Sequence, residues 1–230
     1  METSLKLHEL RQEIIACRRC KRLTEYREQV ARERRAAYRD CTYWGKPVPG
    51  FGDPYARLLI VGLAPAAHGG NRTGRVFTGD GSASFLMRGL YDAGFANQPV
   101  SESPDDGLRL TDAYVLAVVR CVPPDNKPLP EETSNCRPFL VRETALLPNV
   151  KAVLALGKIA MDGYVDALKL ARPGLKRPKF AHAAEYSLAE DLPRLFLSYH
   201  PSRQNTQTGR LTQPMLASVL SRIVAFLSAS

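Results

Sequence analysis

Four short stretches of the chain are almost continuously apolar: Arg57-Leu58-Leu59-Ile60-Val61, Ala113–Val119, Ala152–Leu156 and Arg194–Tyr199. Runs this short, without strict alternation, read as parallel strands buried on both faces. Between them the apolar positions recur at helical spacing. Ser82–Ala93 carries Phe85, Leu86, Leu90 and Tyr91; Glu131–Leu146 carries Phe139, Leu140 and Leu146; Lys158–Leu170 follows the third run. A closing helix is expected from about Gln213 to Leu227, with Pro214 in its first turn. This alternation predicts an α/β fold, a three-layer α/β/α sandwich around a central four-stranded parallel sheet. The 230 residues suit a single domain over 1–230. Its first part, about 1–50, reads as an Arg-rich helical extension, followed by a loop of Pro47, Pro49, Gly50, Gly52 and Pro54.

In such sheets ligands bind at the carboxyl ends of the strands, so the loops there are where chemistry is sought. The loop from Gly62 to Ser82 is dense in glycine and turn residues, and its backbone amides can approach a flat base or a phosphate closely. It lacks GxxxxGK[ST], which argues against nucleotide hydrolysis. Phe77 reads either as an apolar anchor or as a platform for a stacked base. Asp80, the only carboxylate in the loop, is either an ordinary helix cap or a charge aimed at the site. After the fourth run comes His200-Pro201-Ser202-Arg203-Gln204-Asn205. His200 ends a buried strand and is well placed for chemistry, while Ser202 and Arg203 suit contact with a nucleic-acid backbone. His8, His68 and His182 are adequately explained as surface residues. No Ser-His-Asp or HExxH arrangement is present.

Composition narrows the picture. A 44% hydrophobic and 24% charged chain is an ordinary globular one, and no apolar run approaches a membrane span. The first residues lack the apolar core of a signal peptide, so a cytoplasmic location is expected. The net charge of +9, from 32 Lys+Arg against 23 Asp+Glu, points to a polyanionic partner. Basic residues crowd the first forty positions, but Glu25, Glu28 and Glu33 are interleaved, so part of this is a solvated helix with i,i+4 pairs.

Four of five cysteines form a pattern: Cys17-Arg18-Arg19-Cys20, then Cys121 and Cys136. A zinc ribbon expects two close pairs, and the second pair is too far apart for that. A cubane iron–sulfur cluster needs four thiolates and tolerates irregular spacing. A structural [4Fe–4S] cluster is therefore the first reading, zinc the alternative, and small buried thiols the third. Cys41 reads as a packing residue. A zinc base deaminase expects Pro-Cys-x-x-Cys, and Ala16 stands before Cys17.

Together, these motifs resemble the uracil-DNA glycosylase superfamily, and within it family 5, the iron–sulfur-containing type B of bacteria and archaea. The resemblance rests on Cys17-x-x-Cys20, Gly62-Leu63-Ala64-Pro65-Ala66, Arg75-Val76-Phe77-Thr78-Gly79-Asp80, Arg120-Cys121-x-Pro123-Pro124-x-Asn126-Lys127-Pro128, Cys136 and His200-Pro201-Ser202-x-x-Asn205. Leu63 and Ala66 stand where family 4 carries Glu and Gly, which leaves the first motif without an acid. Gly79-Asp80-Gly81-Ser82-Ala83-Ser84 departs from the Gly-Asp-Arg-Ser-Gly of the family, though the Asp is kept.

The resemblance implies a monomeric DNA-repair glycosylase that flips uracil out of DNA and hydrolyses its N-glycosidic bond. The implied substrates extend to hypoxanthine, 5-hydroxymethyluracil or ethenocytosine. In this reading Asp80 stabilises the cationic sugar or orients water, and His200 bonds the uracil O2. Phe77 stacks on the base, the amides of Gly62, Ala64 and Ala66 around Pro65 approach it, and Asn126 or Asn205 reads its edge. Cys17, Cys20, Cys121 and Cys136 hold the cluster. The rival reading is a metal-stabilised nucleic-acid-binding protein without catalysis.

Overall fold

The computed structural model describes residues 2–229. Two helices open the chain, α1 (Glu2–Ala16) and α2 (Lys21–Glu33), so the CxxC segment forms the bend between them. Four strands coincide with the apolar runs: β2 (Leu58–Gly62), β3 (Ala113–Ala117), β4 (Ala152–Leu156) and β6 (Arg194–Ser198). They pair in parallel in the order β3-β2-β4-β6.

The sheet has six strands rather than four. Two-residue antiparallel strands, β1 (Phe51–Gly52) and β5 (Glu185–Tyr186), close its edges. Segments of two residues carry no periodicity, which is why the sequence pattern passed over them; they cover edges that would otherwise present unpaired backbone.

Alternate strand residues feed two cores. Leu59, Val61, Val153 and Ala155 face Leu10 and Ile14 of α1, Phe139 and Leu140 of α5 (Pro130–Ala145) and Tyr164 of α6 (Lys158–Lys169). Leu58, Ile60, Leu154 and Phe196 face Leu86 and Leu90 of α4 (Gly81–Asp92) and Leu216, Leu220 and Ile223 of α8 (Gln213–Ser228). Burial on both faces is the reason these strands read as continuous rather than alternating. Two short helices, α3 (Gly70–Thr73) and α7 (Arg203–Gln207), lie within strand-end loops. Among the described residues no helix is long and apolar enough to cross a membrane. Because β2 lies between β3 and β4, its carboxyl end is the point where strand order reverses, where open α/β sheets form their ligand crevice.

Candidate active site

The loop after β2 is shaped by a buried cation. Arg75, only 8% exposed, donates to Thr78 Oγ1 (2.9 Å), Ser101 Oγ (3.0 Å) and both oxygens of Asp106 (2.9 and 2.7 Å). This network fixes the turn that presents the next five residues. Phe77 adopts φ 46°, a left-handed conformation that a bulky side chain holds only when its surroundings impose it. Its ring lies over Gly62, where a Cβ would meet Phe77 Cε2 at 2.9 Å. It also packs against the His200 ring, with centroids 6.0 Å apart and planes tilted by 32°. Phe77 is thus both a partly buried anchor and one half of an aromatic pair.

Asp80 caps α4: its Oδ1 accepts from the Ala83 amide at 2.9 Å. Its other oxygen presses on Gly69, where a Cβ would stand 2.0 Å from Oδ2. Burial raises the Asp80 carboxyl above the usual aspartate range, against the opposing pull of the Ala83 and Ser82 amides. His200 keeps part of its ring accessible, yet protein surrounds it closely enough to lower its pKa to about 4. The ring is therefore neutral at physiological pH. Its loop is braced by Asn205, whose Nδ2 donates to the His200 carbonyl at 2.8 Å. Ser202 caps α7 by accepting from Asn205 N at 3.3 Å.

Asp80, Ala66, Asn126 and Arg203 line one open cavity of about 920 Å³, part of it bulk solvent. Asn126 is exposed and itself left-handed (φ 55°). Ala64 instead packs against the first core, and buried Pro65 sits against Gly70. Asn205 faces the protein with its amide nitrogen, as a brace for His200.

Three residues of the N-terminal extension, Tyr26, Arg35 and Tyr38, line the same cavity, as does His68. Sequence pattern alone assigns Tyr26, Tyr38 and His68 no role at the site, and counts Arg35 only within the basic N-terminal stretch. His68 Nδ1 lies 2.9 Å from the Tyr43 hydroxyl, and Tyr38 lies 6.4 Å from its ring. Arg72 stacks over Tyr38 at 4.2 Å and donates to the His68 carbonyl at 2.8 Å. Burial lowers the His68 pKa, and Arg35 and Arg72 push the same way. His68 lies six residues beyond the end of β2, in a loop whose course no periodicity reveals, so nothing in the sequence separated it from a surface histidine.

Behind this site the four patterned cysteines line a second space of about 320 Å³, part of it bulk solvent, with Arg27, Arg120, Asn135 and Phe139. Arg27 Nη1 donates to Cys121 Sγ at 3.0 Å, the Arg120 amide to Cys136 Sγ at 3.3 Å, and Asn135 Nδ2 to Cys20 Sγ at 3.6 Å. Arg27 and Arg120 are 2% and 1% exposed. Arg27 Nε and Arg120 Nε and Nη1 have no hydrogen-bond partner, and Arg120 Nη2 lies 2.6 Å from Glu143 Oε2 but out of hydrogen-bonding line. Burial pushes the Cys121 thiol up to about 12 and those of Cys136 and Cys20 upward. Among the described residues no group of three His, Cys, Asp or Glu side chains is arranged to hold a single metal ion. Four thiols around a shared space, with N–H donors to sulfur and orphaned guanidinium nitrogens, fit an anionic sulfur-ligated group.

The family model described as the uracil DNA glycosylase superfamily matches residues 49–223. A type-5 uracil-DNA glycosylase of Thermus thermophilus is 50% identical over 211 residues, covering 91% of this chain and 93% of that protein. The type-5 enzyme of Pyrobaculum aerophilum is 44% identical over 212 residues, covering 92% and 89%. A type-4 uracil-DNA glycosylase of Thermotoga maritima is 32% identical over 124 residues, covering 54% and 56%. A pocket at the switch point of a parallel sheet, built from the Gly62, Asp80, Asn126 and His200 loops, now has relatives that match nearly end to end. The chain belongs to the uracil DNA glycosylase superfamily, with the type-5 enzymes as its full-length relatives.

Proposed function

We propose that this protein excises uracil from DNA by hydrolysing the N-glycosidic bond and leaving an abasic site. The observation that carries the reading is that a half-buried, N-capping Asp80 and a neutral His200 packed on Phe77 stand in the loops that follow β2 and β6, at one end of the sheet. Breaking the bond creates a cationic sugar and an anionic base, and a base inside a duplex must first leave the stack. Asp80 would face the sugar, where its ionised carboxylate opposes the developing positive charge or holds the attacking water. His200, neutral above about pH 4, would donate a hydrogen bond to the base oxygen that gains negative charge. Phe77 supplies a flat apolar face beside His200, and exposed Asn126 an amide for the base edge. The absence of an acid from Gly62–Ala66 leaves that wall less polar, which supports a range reaching hypoxanthine and related damaged bases.

Cys17, Cys20, Cys121 and Cys136 would hold a [4Fe–4S] cluster, and its role would be structural, joining the α1–α2 bend to the β3 loop and α5. Zinc is the alternative; the fifteen-residue separation of Cys121 from Cys136 in the sequence, unlike a second close pair, favours the cluster. The fold and charge serve a monomer acting on DNA in the cytoplasm. The deciding experiment is incubation with a uracil-containing duplex, read as abasic-site formation. Tight binding without abasic sites would favour the non-catalytic reading.

A further inference from the structure

The exposed arginines of this protein fall into two populations. Many are neutralised, Arg57 by Asp112, Arg142 by Glu13, Arg172 by Asp191, and Arg194 and Arg222 by Glu185, while others, Arg109 and Arg210 among them, stand singly without an ion pair among the described residues. At the end of α2 the pattern stops. Arg34, Arg35 and Arg39 are all exposed, and among the described residues none of them makes an ion pair, although Asp40 follows directly in the chain. Glu33, the acid before them, is taken up by Gln29 Nε2 at 2.7 Å.

This segment is also held in shape. Arg34 is left-handed (φ 50°), and its Nη1 donates to the Arg39 carbonyl at 2.6 Å, closing the turn. Tyr38 N bonds Arg35 O at 2.8 Å and Arg39 N bonds Ala36 O at 3.4 Å, forming a 3-10 turn over Ala36–Tyr38. Tyr38 lies under Arg72, and Trp44 N bonds the Arg72 carbonyl at 2.8 Å. The turn is thereby pinned to the loop that carries His68 and Gly69, against which Asp80 rests. Arg35 and Tyr38 line the cavity together with Asp80 and Arg203, while Asp125 adds one further acid there. A pinned turn with unpaired guanidinium groups beside a cavity has the chemistry of a phosphodiester clamp.

We propose that residues 34–39 bind the DNA backbone next to the extruded nucleotide, with Arg35 and Arg39 each contacting one phosphate. The inference rests on the glycosylase reading for the position of the nucleotide, but binding tests it without catalysis. The probe is a fluorescent duplex carrying a stable abasic-site analogue, titrated from about 50 to 200 mM KCl, where a phosphate contact contributes a slope of about −0.9 in log affinity against log salt.

The slope should become shallower by about one for Arg35→Gln or Arg39→Gln and by about two for the double variant, as expected for lost phosphate contacts. Arg109→Gln removes the same charge just before β3, at the opposite end of the sheet, from a side chain that makes no ion pair among the described residues. It should leave the slope as in wild type. A double variant with the wild-type slope, or an Arg109→Gln slope that falls as far, would overturn the clamp. If the double variant melts early, the two single variants, both at exposed positions, carry the same test. A wild type that binds with a steep slope yet forms no abasic sites would sink the glycosylase reading and leave the clamp measurable.

Discussion

The cysteine cavity and the strand-end pocket are two polar regions of one fold that meet opposite requirements. Around the cysteines, Arg27 and Arg120 are sealed from water with nitrogens left unpartnered, and every feature turns inward. Around Asp80, the carboxylate is bonded on one side to its helix and opens on the other to a cavity. The first arrangement holds Glu143 Oε2 2.6 Å from Arg120 and leaves further guanidinium nitrogens without a hydrogen-bond partner beside the thiols. The second makes sense only if something enters and leaves. On the proposed reading the first region would carry stability, because incompletely bonded buried charge is costly, and the second reactivity, because its carboxylate is desolvated but accessible.

The largest effect expected from this contrast is on the cysteine side. Cys136→Ser removes a sulfur that accepts from the buried Arg120 amide and lines the space beside Arg27 and Arg120. Leaving a buried donor poorly satisfied costs about 1–3 kcal/mol. Thermal melting, with absorbance near 400 nm as the readout of an iron–sulfur group, should show both fall together. A fully stable, colourless Cys136→Ser protein with normal excision would erase the distinction between the regions.

On the pocket side, Asp80→Asn should do the reverse. Asparagine caps helices as well as aspartate, so melting should stay near wild type. Single-turnover excision should fall by about 10²–10⁴-fold, the usual range for loss of a general acid–base group. Unchanged turnover would remove Asp80 from the chemistry.

Gly69→Ala sharpens the same point without touching a polar group. The new methyl would stand 2.0 Å from Asp80 Oδ2, so the carboxylate must shift. Misplacement on that scale costs about 10²-fold in rate. The reading requires this loss to appear in kcat more than in affinity for the duplex.

The smallest effect is on pH. Burial lowers His200 to about 4, well below 6.5, the ordinary histidine value, and raises Asp80 above the usual aspartate range. The kcat/KM profile should run flat through that region on the acid side. It should then fall as Asp80 protonates and loses its charge and as His200 gains a proton. Asp80→Asn should remove the carboxylate's part of this limb. An inflection near 6.5 would mean that His200 is not the neutral donor. Stability should also decline between about 6.5 and 4, where the unfolded chain binds a His200 proton that the native ring refuses.

Much of this was legible beforehand, for physical reasons that differ by element. The four central strands were readable because burial on both faces forces near-continuous apolar sequence, and Leu58–Val61 and Ala152–Leu156 have it. Asp80 and His200 stood out because each interrupts a patterned element at its end. Nothing comparable marks β1 or β5. Nor does anything mark His68, whose place at the pocket depends on the Tyr43 hydroxyl, 25 residues away in sequence. Asn205 was expected at the base edge, and only the folded loop turned its amide onto the His200 carbonyl.

Local pattern by itself determined the layers, the four central strands and the loops at their carboxyl ends, because periodicity and turn chemistry act over a few residues. Tertiary structure alone decided that Arg27 and Arg120 are sealed in with those thiols, that Gly69 yields space to Asp80, and that the turn after α2 walls the pocket. Those arrangements join segments tens of residues apart, and a buried charge or a close approach exists only once the chain has closed around it.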